Sequence, residues 1–191
     1  WWRVFSKHST YGGSTVMASE LHVDAIKHSG GTSALTIDSS GNVHKAGFVL
    51  QTVNATYATQ TTTTSASFVA TALNASITPK FSSSKILVHF TLPAYAPADK
   101  HCVATVFRES GTASSGSSIS GTNLGDATWG FSSMYGDEAV MGSVHCTGVL
   151  DSPNTTSATR YTVAFRQNNT GTAEVFVNGA MGTITLQEIA Q

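Results

Sequence analysis

The stretch 31–43, GTSALTIDSSGNV, decides how the first part of this chain folds. Leu35 and Ile37 are two residues apart, so they share one face of a predicted strand, with the intervening threonine on the other face. A turn is predicted next, because Asp38 can accept a hydrogen bond from the backbone two residues on and Gly41 tolerates a positive φ. With a return strand after Gly41, the stretch predicts a β-hairpin.

The hairpin lies in a segment, residues 17–46, that is poor in large apolar side chains. Upstream, apolar and polar residues alternate in ELHVDAIKH at 20–28 until two apolar residues follow each other at 25–26. This pattern predicts a strand with a bend or bulge, although the apolar face of a helix also fits. An isolated hairpin is marginal in water. We therefore expect residues 17–46 to need partners from outside the segment.

Composition favours strands along the whole chain. The 191 residues include 27 Thr, 25 Ser and 17 Gly, together more than a third, and only 11% are charged, against roughly 25% in an average globular protein. Threonine favours strands, and serine and glycine favour turns. These numbers predict an all-β protein.

Charge and hydropathy argue against two classes of partner. The formal net charge is −1, and the chain has no run of lysine or arginine, so it lacks the basic surface that nucleic-acid binding requires. No apolar run approaches the 18 residues of a membrane-spanning helix. We expect neither nucleic-acid binding nor membrane insertion.

The first 16 residues carry aromatic side chains without a periodic pattern, including Trp1, Trp2 and Phe5. Such a segment is not expected to order by itself. It is either an extension unrelated to the fold or an anchor that packs on a neighbouring protein. We favour the anchor and treat residues 1–16 as a separate segment.

Residues 47–191 repeat strand patterns with turn signals every 8–15 residues, which predicts eight to ten strands in a sandwich, jelly roll or barrel. The run SKILVHFTLPAY at 84–95 is the most apolar and is predicted to be a central strand. The segment 161–179 reads as a hairpin with its turn at Gly171.

The C-terminal stretch TITLQEIAQ at 183–191 alternates regularly and predicts a structural strand rather than a frayed tail. Ile184 and Leu186 are expected in the core. Glu188 falls on the same face, so it must either emerge past the edge of the core or find a partner.

Histidine and cysteine residues are the main candidates for a metal-binding site. His101-Cys102 and His145-Cys146 both lie in predicted strands, and one His and one Cys from each would supply tetrahedral zinc ligands if the strands were neighbours. However, adjacent residues of a strand point to opposite faces, so ordinary strand residues with free buried thiols are the favoured interpretation. A ring of His89 side chains from three chains is a further alternative.

The sequence offers little for catalysis. Carboxylates are sparse, and nothing places Asp137 or Glu138 opposite another carboxylate, as glycoside hydrolysis requires. The glycine-rich stretch at 110–121 has no following helix or lysine, so it is not a phosphate-binding loop. We expect no enzyme activity, no metal and no cofactor.

Two groups of residues are candidates for binding. Trp129, Phe131 and Tyr135 are predicted on one face of a strand, where aromatic residues usually form core, with a sugar-stacking platform as the alternative.

The second group lies in PAYAPADK at 93–100, which is predicted to be a stiff exposed loop presenting Tyr95, Asp99 and Lys100. These three residues are the candidate receptor contact, with a solvated connector as the alternative.

Three stretches resemble the virion fibre proteins of bacteriophages, in particular marine tail-fibre proteins: GTSALTIDSSGNV at 31–43, LDSPNTTSATRYTVAFRQNNTGTAEVFVNG at 150–179 and the closing TITLQEIAQ. By motif, the resemblance covers residues 20–50 and 145–191. It implies a homotrimer with an intertwined β stalk (17–46) and a jelly-roll knob similar to tumour necrosis factor (47–191). The apolar residues of the stalk would then form the trimer interface, namely Leu21, Val23, Leu35, Ile37 and Val43.

The resemblance also implies where the protein works. The chain would be assembled in the host cytoplasm and exposed on the virion surface, joined to other virion proteins through its N-terminal end. The knob would contact a host-surface glycan or protein. The alternatives are a decoration or collar protein that binds only virion proteins, and a module that binds or cleaves polysaccharide.

Overall fold

The computed structural model describes residues 22–168 and 170–191. The chain divides into two units between Lys45 and Ala46. Within the described residues the protein is built from antiparallel sheets and has no α-helix, so the all-β prediction is confirmed. The predictions for Trp1, Trp2, Phe5 and Leu21 lie outside the described residues.

Residues 22–45 form a small three-stranded antiparallel sheet. Its strands are β1 (Ala25–Lys27), β2 (Ser33–Ile37) and β3 (Val43–His44), in the order β1-β2-β3. The pairing of β1 with β2 shifts register between Ile26 and Lys27, so the predicted strand with a bulge is confirmed in this part of the segment.

The turn between β2 and β3 is held by one side chain, as the sequence predicts. The Oδ1 atom of Asp38 accepts hydrogen bonds from the backbone N–H of Ser40 at 2.9 Å and of Asn42 at 2.8 Å. Gly41 has a φ of +80°, which a residue with a Cβ rarely adopts. The hairpin prediction is confirmed at both its strands and its turn.

This small sheet does not bury any side chain. Between residues 22 and 45 every residue is exposed or only half-buried. Val23, Leu35 and Ile37 are half-buried, and Val43 is 40% exposed. The described part of the first unit therefore has apolar side chains but no core.

The second unit, residues 46–191, contains eleven strands in its described part. They are β4 (Val49–Tyr57), β5 (Thr61–Thr63), β6 (Val69–Ile77), β7 (Lys85–Ala96), β8 (Lys100–Glu109), β9 (Gly121–Asn123), β10 (Ser132–Gly136), β11 (Val140–Asp151), β12 (Thr159–Asn168), β13 (Ala173–Val175) and β14 (Gly182–Ile189). A short 3₁₀ turn, Val177–Gly179, follows β13. No helix among the described residues is long and apolar enough to cross a membrane.

The eleven strands form two sheets. In the first sheet the long strands have the order β4-β14-β7-β11. The short strand β13 pairs with the C-terminal end of β7, and β5 pairs with β13. In the second sheet the order is β6-β12-β8-β10, with β9 paired to the end of β8. The most apolar run, β7, has neighbours along both edges, so its prediction as a central strand is confirmed.

The core lies between the two sheets, in a sandwich-like arrangement. Alternate side chains of each long strand enter it, as the period of two requires. On β8 the inward residues are Cys102, Ala104 and Val106, which matches the alternation in the sequence. Tyr161 and Phe165 of β12 are among the largest fully buried side chains.

The C-terminal strand β14 lies in the middle of the first sheet, between β4 and β7. Ile184 and Leu186 are fully buried, as predicted. Glu188 is also fully buried and has partners: its Oε2 accepts from Gln51 Nε2 at 2.6 Å, and its Oε1 accepts from the Lys80 backbone N–H at 2.8 Å. The carboxylate thus holds the backbone of residues 80–81 against the C-terminal end of β14.

The predicted hairpin over residues 161–179 is wrong. The strand β12 pairs with β6 and β8 in the second sheet, whereas β13 pairs with β5 and β7 in the first sheet. Both edges of β12 are occupied, so the chain cannot fold back beside it. Gly171, with a φ of +125°, lies where the chain passes from one sheet to the other.

Candidate functional site

Three rings form a cluster at the edge of the second sheet. The pairing of β8 with β10 sets His101 directly opposite Tyr135. The centre of the His101 ring lies 4.7 Å from that of Tyr135 and 5.1 Å from that of Trp129. Trp129 is 46% exposed and Tyr135 is 48% exposed, so His101 supports two rings that face solvent. We call these three residues the aromatic cluster.

A rigid turn presents Trp129. The Oδ1 atom of Asp126 accepts hydrogen bonds from the backbone N–H of Trp129 at 2.6 Å and of Thr128 at 2.8 Å. These bonds hold the pKa of Asp126 below its usual range. Gly130 closes the turn with a φ of +58°, and a Cβ there would lie only 2.1 Å from the carbonyl oxygen of Ala104. A side chain at this position would therefore displace the turn.

The same turn is tied to the body of the sandwich. The guanidinium of Arg166, a buried residue of β12, donates through Nε (3.0 Å) and Nη2 to the carbonyl of Thr128, and through Nη1 to the carbonyl of Ala66 at 2.8 Å. Its carbon Cζ also lies 5.5 Å from the ring centre of Phe68. Since Thr128 precedes Trp129, Arg166 fixes the backbone next to the residue that carries the exposed indole.

A carboxylate borders the cluster. The Tyr135 hydroxyl donates to Asp99 Oδ1 at 3.2 Å. Asp99 has a φ of +55°, and its backbone N–H donates to the carbonyl of Gly136 at 2.8 Å. Partial desolvation, followed by the Asp99 and Asp137 carboxylates, raises the pKa of Tyr135. The hydroxyl therefore remains a donor at neutral pH.

The predicted loop at 93–100 is mostly strand. Tyr95 lies within β7, opposite Met141 on β11 and Glu174 on β13, and Lys100 begins β8. Only residues 97–99 connect the two strands. Of the three candidate receptor contacts, the structure places Asp99 against the aromatic cluster, and Lys100 is its neighbour in sequence.

The prediction that Trp129, Phe131 and Tyr135 share one face of a strand is wrong. Phe131 turns inward and meets the core ring of Phe90, with 6.3 Å between ring centres, whereas the other two are exposed. The alternation fails because β10 begins only at Ser132. The signal that was missed is the order Asp, two residues, Trp and Gly at 126–130, which specifies a side-chain-capped turn rather than a strand.

The two His-Cys pairs behave as ordinary strand residues. Cys102 and Cys146 are buried and not joined in a disulfide, as the sequence favoured. Burial raises the pKa of the Cys102 thiol to about 12, so it stays protonated. Within residues 22–168 and 170–191, no three His, Cys, Asp or Glu side chains form a group suited to a metal ion.

A concave region lies on the outer face of the first sheet. It is an open depression of about 330 Å³ lined by His89, Phe90, Thr91, His145, Cys146, Thr147, Thr183 and Thr185. Next to it, the Ser132 side chain both accepts from the His145 N–H at 2.9 Å and donates to the His145 carbonyl at 3.0 Å. The depression thus contains His89 and His145, two of the three histidines singled out by the sequence, with threonine side chains around them.

Of the two regions, the aromatic cluster has the features of a binding site. It combines exposed flat rings, a protonated phenol, an exposed carboxylate and a backbone fixed from two sides. Comparison with protein-family models and with curated proteins finds no match for this chain.

Proposed function

We propose that this chain is a trimeric virion fibre protein of the bacteriophage type, with a β-sheet stalk followed by a head that attaches to the host surface. The observation that carries the proposal is the absence of any buried residue between residues 22 and 45. The strands there are regular, and Leu35 and Ile37 share one face of β2, but both stay only half-buried.

A sheet of this kind needs partners to be stable, because strands of only 3, 5 and 2 residues without a buried side chain do not offset the entropy of ordering the backbone. Copies of the same chain are the simplest partners, since closed symmetry lets each copy use the same apolar face. The interface would contain the described residues Val23, Leu35, Ile37 and Val43. The resemblance of residues 31–43 to fibre hairpins supports three copies.

The strand order of the second unit supports a jelly-roll head. Numbering its eight long strands along the chain, the first sheet has the order 1-8-3-6 and the second has 2-7-4-5. This is the pairing expected when a jelly roll folds from two Greek keys. Heads of the tumour-necrosis-factor type share this order and are trimers.

The attachment surface in this proposal is the aromatic cluster with Asp99. Exposed aromatic side chains are among the residues most enriched at binding surfaces. The role is one of binding rather than catalysis. Other virion proteins would bind at the N-terminal end of the fibre.

The stalk part of the proposal is tested by the mass of the particle in solution. Light scattering coupled to gel filtration should give about three times the 19.9 kDa of one chain. The same measurement on Ile37→Asp should show loss of the trimer, because a charge would enter a shared apolar interface. Ala34→Asp is the matched control, since Ala34 is an exposed residue of the same strand. A monodisperse 19.9 kDa species for the unmodified chain would contradict the proposal.

The attachment part is tested with a fluorescently labelled chain and intact bacterial cells. A fibre head should bind cells of a host strain and should compete with the virus for them. A trimer that instead binds purified virus particles and leaves infection unaffected would indicate the decoration or collar role.

A further inference from the structure

We propose that the aromatic cluster is a carbohydrate site, and that its ligand is a neutral pyranose whose C–H face stacks on Trp129 while its hydroxyls donate to Asp99. The inference rests on the proposed attachment function and names the class of molecule that the head recognises.

The size of the site matches a sugar better than a protein. An aromatic side chain covers about 150–250 Å², so two rings that are each about half exposed offer roughly 200 Å². A stable protein–protein interface buries about 1,200–2,000 Å² in total. A sugar ring is small enough to stack on the exposed face of Trp129, and it has both an apolar face and polar edges.

The polar groups around the rings define the ligand further. Asp99 accepts a hydrogen bond from Tyr135 through Oδ1, and an ionised carboxylate has room for more donors than one. Sugar hydroxyls supply such donors, and hydrogen bonds to a charged acceptor are the stronger kind. Asp137 directly follows Gly136, whose carbonyl accepts a hydrogen bond from the Asp99 backbone N–H, so two carboxylates border the site. Sialic or uronic acids would be repelled, which selects neutral sugars.

The site is already formed without a ligand. The Asp126 side chain and the Arg166 guanidinium fix the turn that presents Trp129, and His101 contacts both exposed rings. The Nδ1 atom of His101 is enclosed and has no hydrogen-bond partner among the described residues, so this ring serves as a packing surface. Little conformational entropy is then lost when a sugar binds, which favours affinity.

Weak binding at each site is compatible with firm attachment. A single sugar on one exposed aromatic platform is expected to bind only weakly, but three copies on one fibre head would bind a dense glycan surface together. Linked sites raise the overall affinity by 10²–10⁴-fold when their geometry permits simultaneous contact.

The test is saturation-transfer NMR on the full chain with four probes: methyl β-galactoside, methyl α-mannoside, methyl N-acetyl-β-glucosaminide and methyl β-glucuronide. At least one neutral glycoside should bind, and the glucuronide should not. Trp129→Ala should weaken binding by about tenfold, and Trp129→Phe should retain part of it. Met181→Ala is the control, because Met181 is 61% exposed and lies outside the aromatic cluster.

The outcomes separate this inference from the attachment function. The inference is overturned if no neutral glycoside binds, if the glucuronide binds best, or if Trp129→Ala and Met181→Ala bind equally well. If the chain is a trimer and adheres to cells in any of these cases, the attachment function stands and the cells carry a different receptor, such as a protein. If the neutral sugar binds but the chain is a monomer, the fibre proposal fails and the sugar site remains.

Discussion

The strands β2 and β14 have the same alternating sequence pattern but differ in how far their apolar side chains are buried. In β2, Leu35 and Ile37 alternate with small or polar residues and are only half-buried, whereas in β14 Ile184 and Leu186 alternate with threonine and are fully buried. The difference lies in the neighbours. The strand β14 has β4 and β7 along its edges and a second sheet over its apolar face, while within residues 22–45 β2 has two short neighbours and no second layer. Alternation thus decides which face is apolar, and the surroundings decide whether that face is covered.

The largest expected effect comes from removing the covered strand. Deleting residues 183–191 takes away the centre of the first sheet and leaves β4 and β7 with unpaired edges over an open core. We expect no soluble folded protein, measured by recovery and by far-ultraviolet circular dichroism. A chain lacking only Gln191 is the control and should be unaffected. A soluble trimer with an unchanged melting temperature after the nine-residue deletion would show that β14 is dispensable.

Leucine-to-alanine substitutions in β14 and β2 compare the contributions of the two strands to stability and assembly. Leu186→Ala should lower the free energy of unfolding of the head by about 3 kcal/mol, through lost burial and a cavity, as measured by urea denaturation. Leu35→Ala should leave that transition in place and instead shift the trimer toward monomer, measured by sedimentation at falling concentration. Equal effects of both substitutions on the head transition would mean that the two regions fold as one cooperative unit.

A smaller effect is expected at a buried hydrogen-bond network of the head. The Tyr161 hydroxyl donates to Asp151 Oδ2 at 2.7 Å, and Arg108 Nη1 donates to both oxygens of that carboxylate. Tyr161→Phe should lower the free energy of unfolding by about 1 kcal/mol at pH 7. Tyr95→Phe is the control and should have little effect.

The pH dependence gives this prediction a second measurement. Burial, followed by the Asp151 hydrogen bond, raises the pKa of Tyr161. The contribution of the hydroxyl is therefore complete below the ordinary tyrosine pKa of about 10 and is lost as the pH rises through the raised value. Denaturation curves from pH 8 to 11 should show the unmodified head losing stability more steeply than Tyr161→Phe. Parallel curves would contradict the assignment.

An effect of about the same size is expected at the hairpin turn. Asp38→Ala removes the acceptor for the Ser40 and Asn42 backbone N–H groups and should destabilise the stalk by about 1 kcal/mol. Ser39→Ala, in the same turn, should change nothing measurable because Ser39 is exposed. Thermal dissociation of the trimer is the measurement, and an identical midpoint for the two variants would show that the turn does not contribute to assembly.

Local pattern predicted most of the individual elements. The hairpin at 31–43, the inward face of β8, the central place of β7 and the buried face of β14 all follow from alternation and turn residues. The segment 161–179 shows where this reasoning stops. Its turn residues are compatible with a hairpin, but β12 already has β6 and β8 on its two edges. These partners are distant in sequence, so no local stretch indicates the pairing.

The candidate site was less accessible to sequence reasoning. The aromatic cluster and Asp99 come from two separate stretches, 99–101 and 129–135, which are joined by the pairing of β8 with β10. No spacing rule brings these together. The exposure of Trp129 depends on a capped turn held by Arg166 from a distant strand, so periodicity assigned it to a strand face instead.

The most direct test of the account is amide hydrogen exchange in β2, compared between the unmodified chain and Ile37→Asp. We propose that residues 22–45 are ordered only through association with other copies. In the unmodified chain the amides of Ser33–Ile37 should be protected. In Ile37→Asp they should exchange at close to unprotected rates while the amides of β7 remain slow. Protection of β2 in a chain shown to be monomeric would contradict the account, because the small sheet would then be stable without partners.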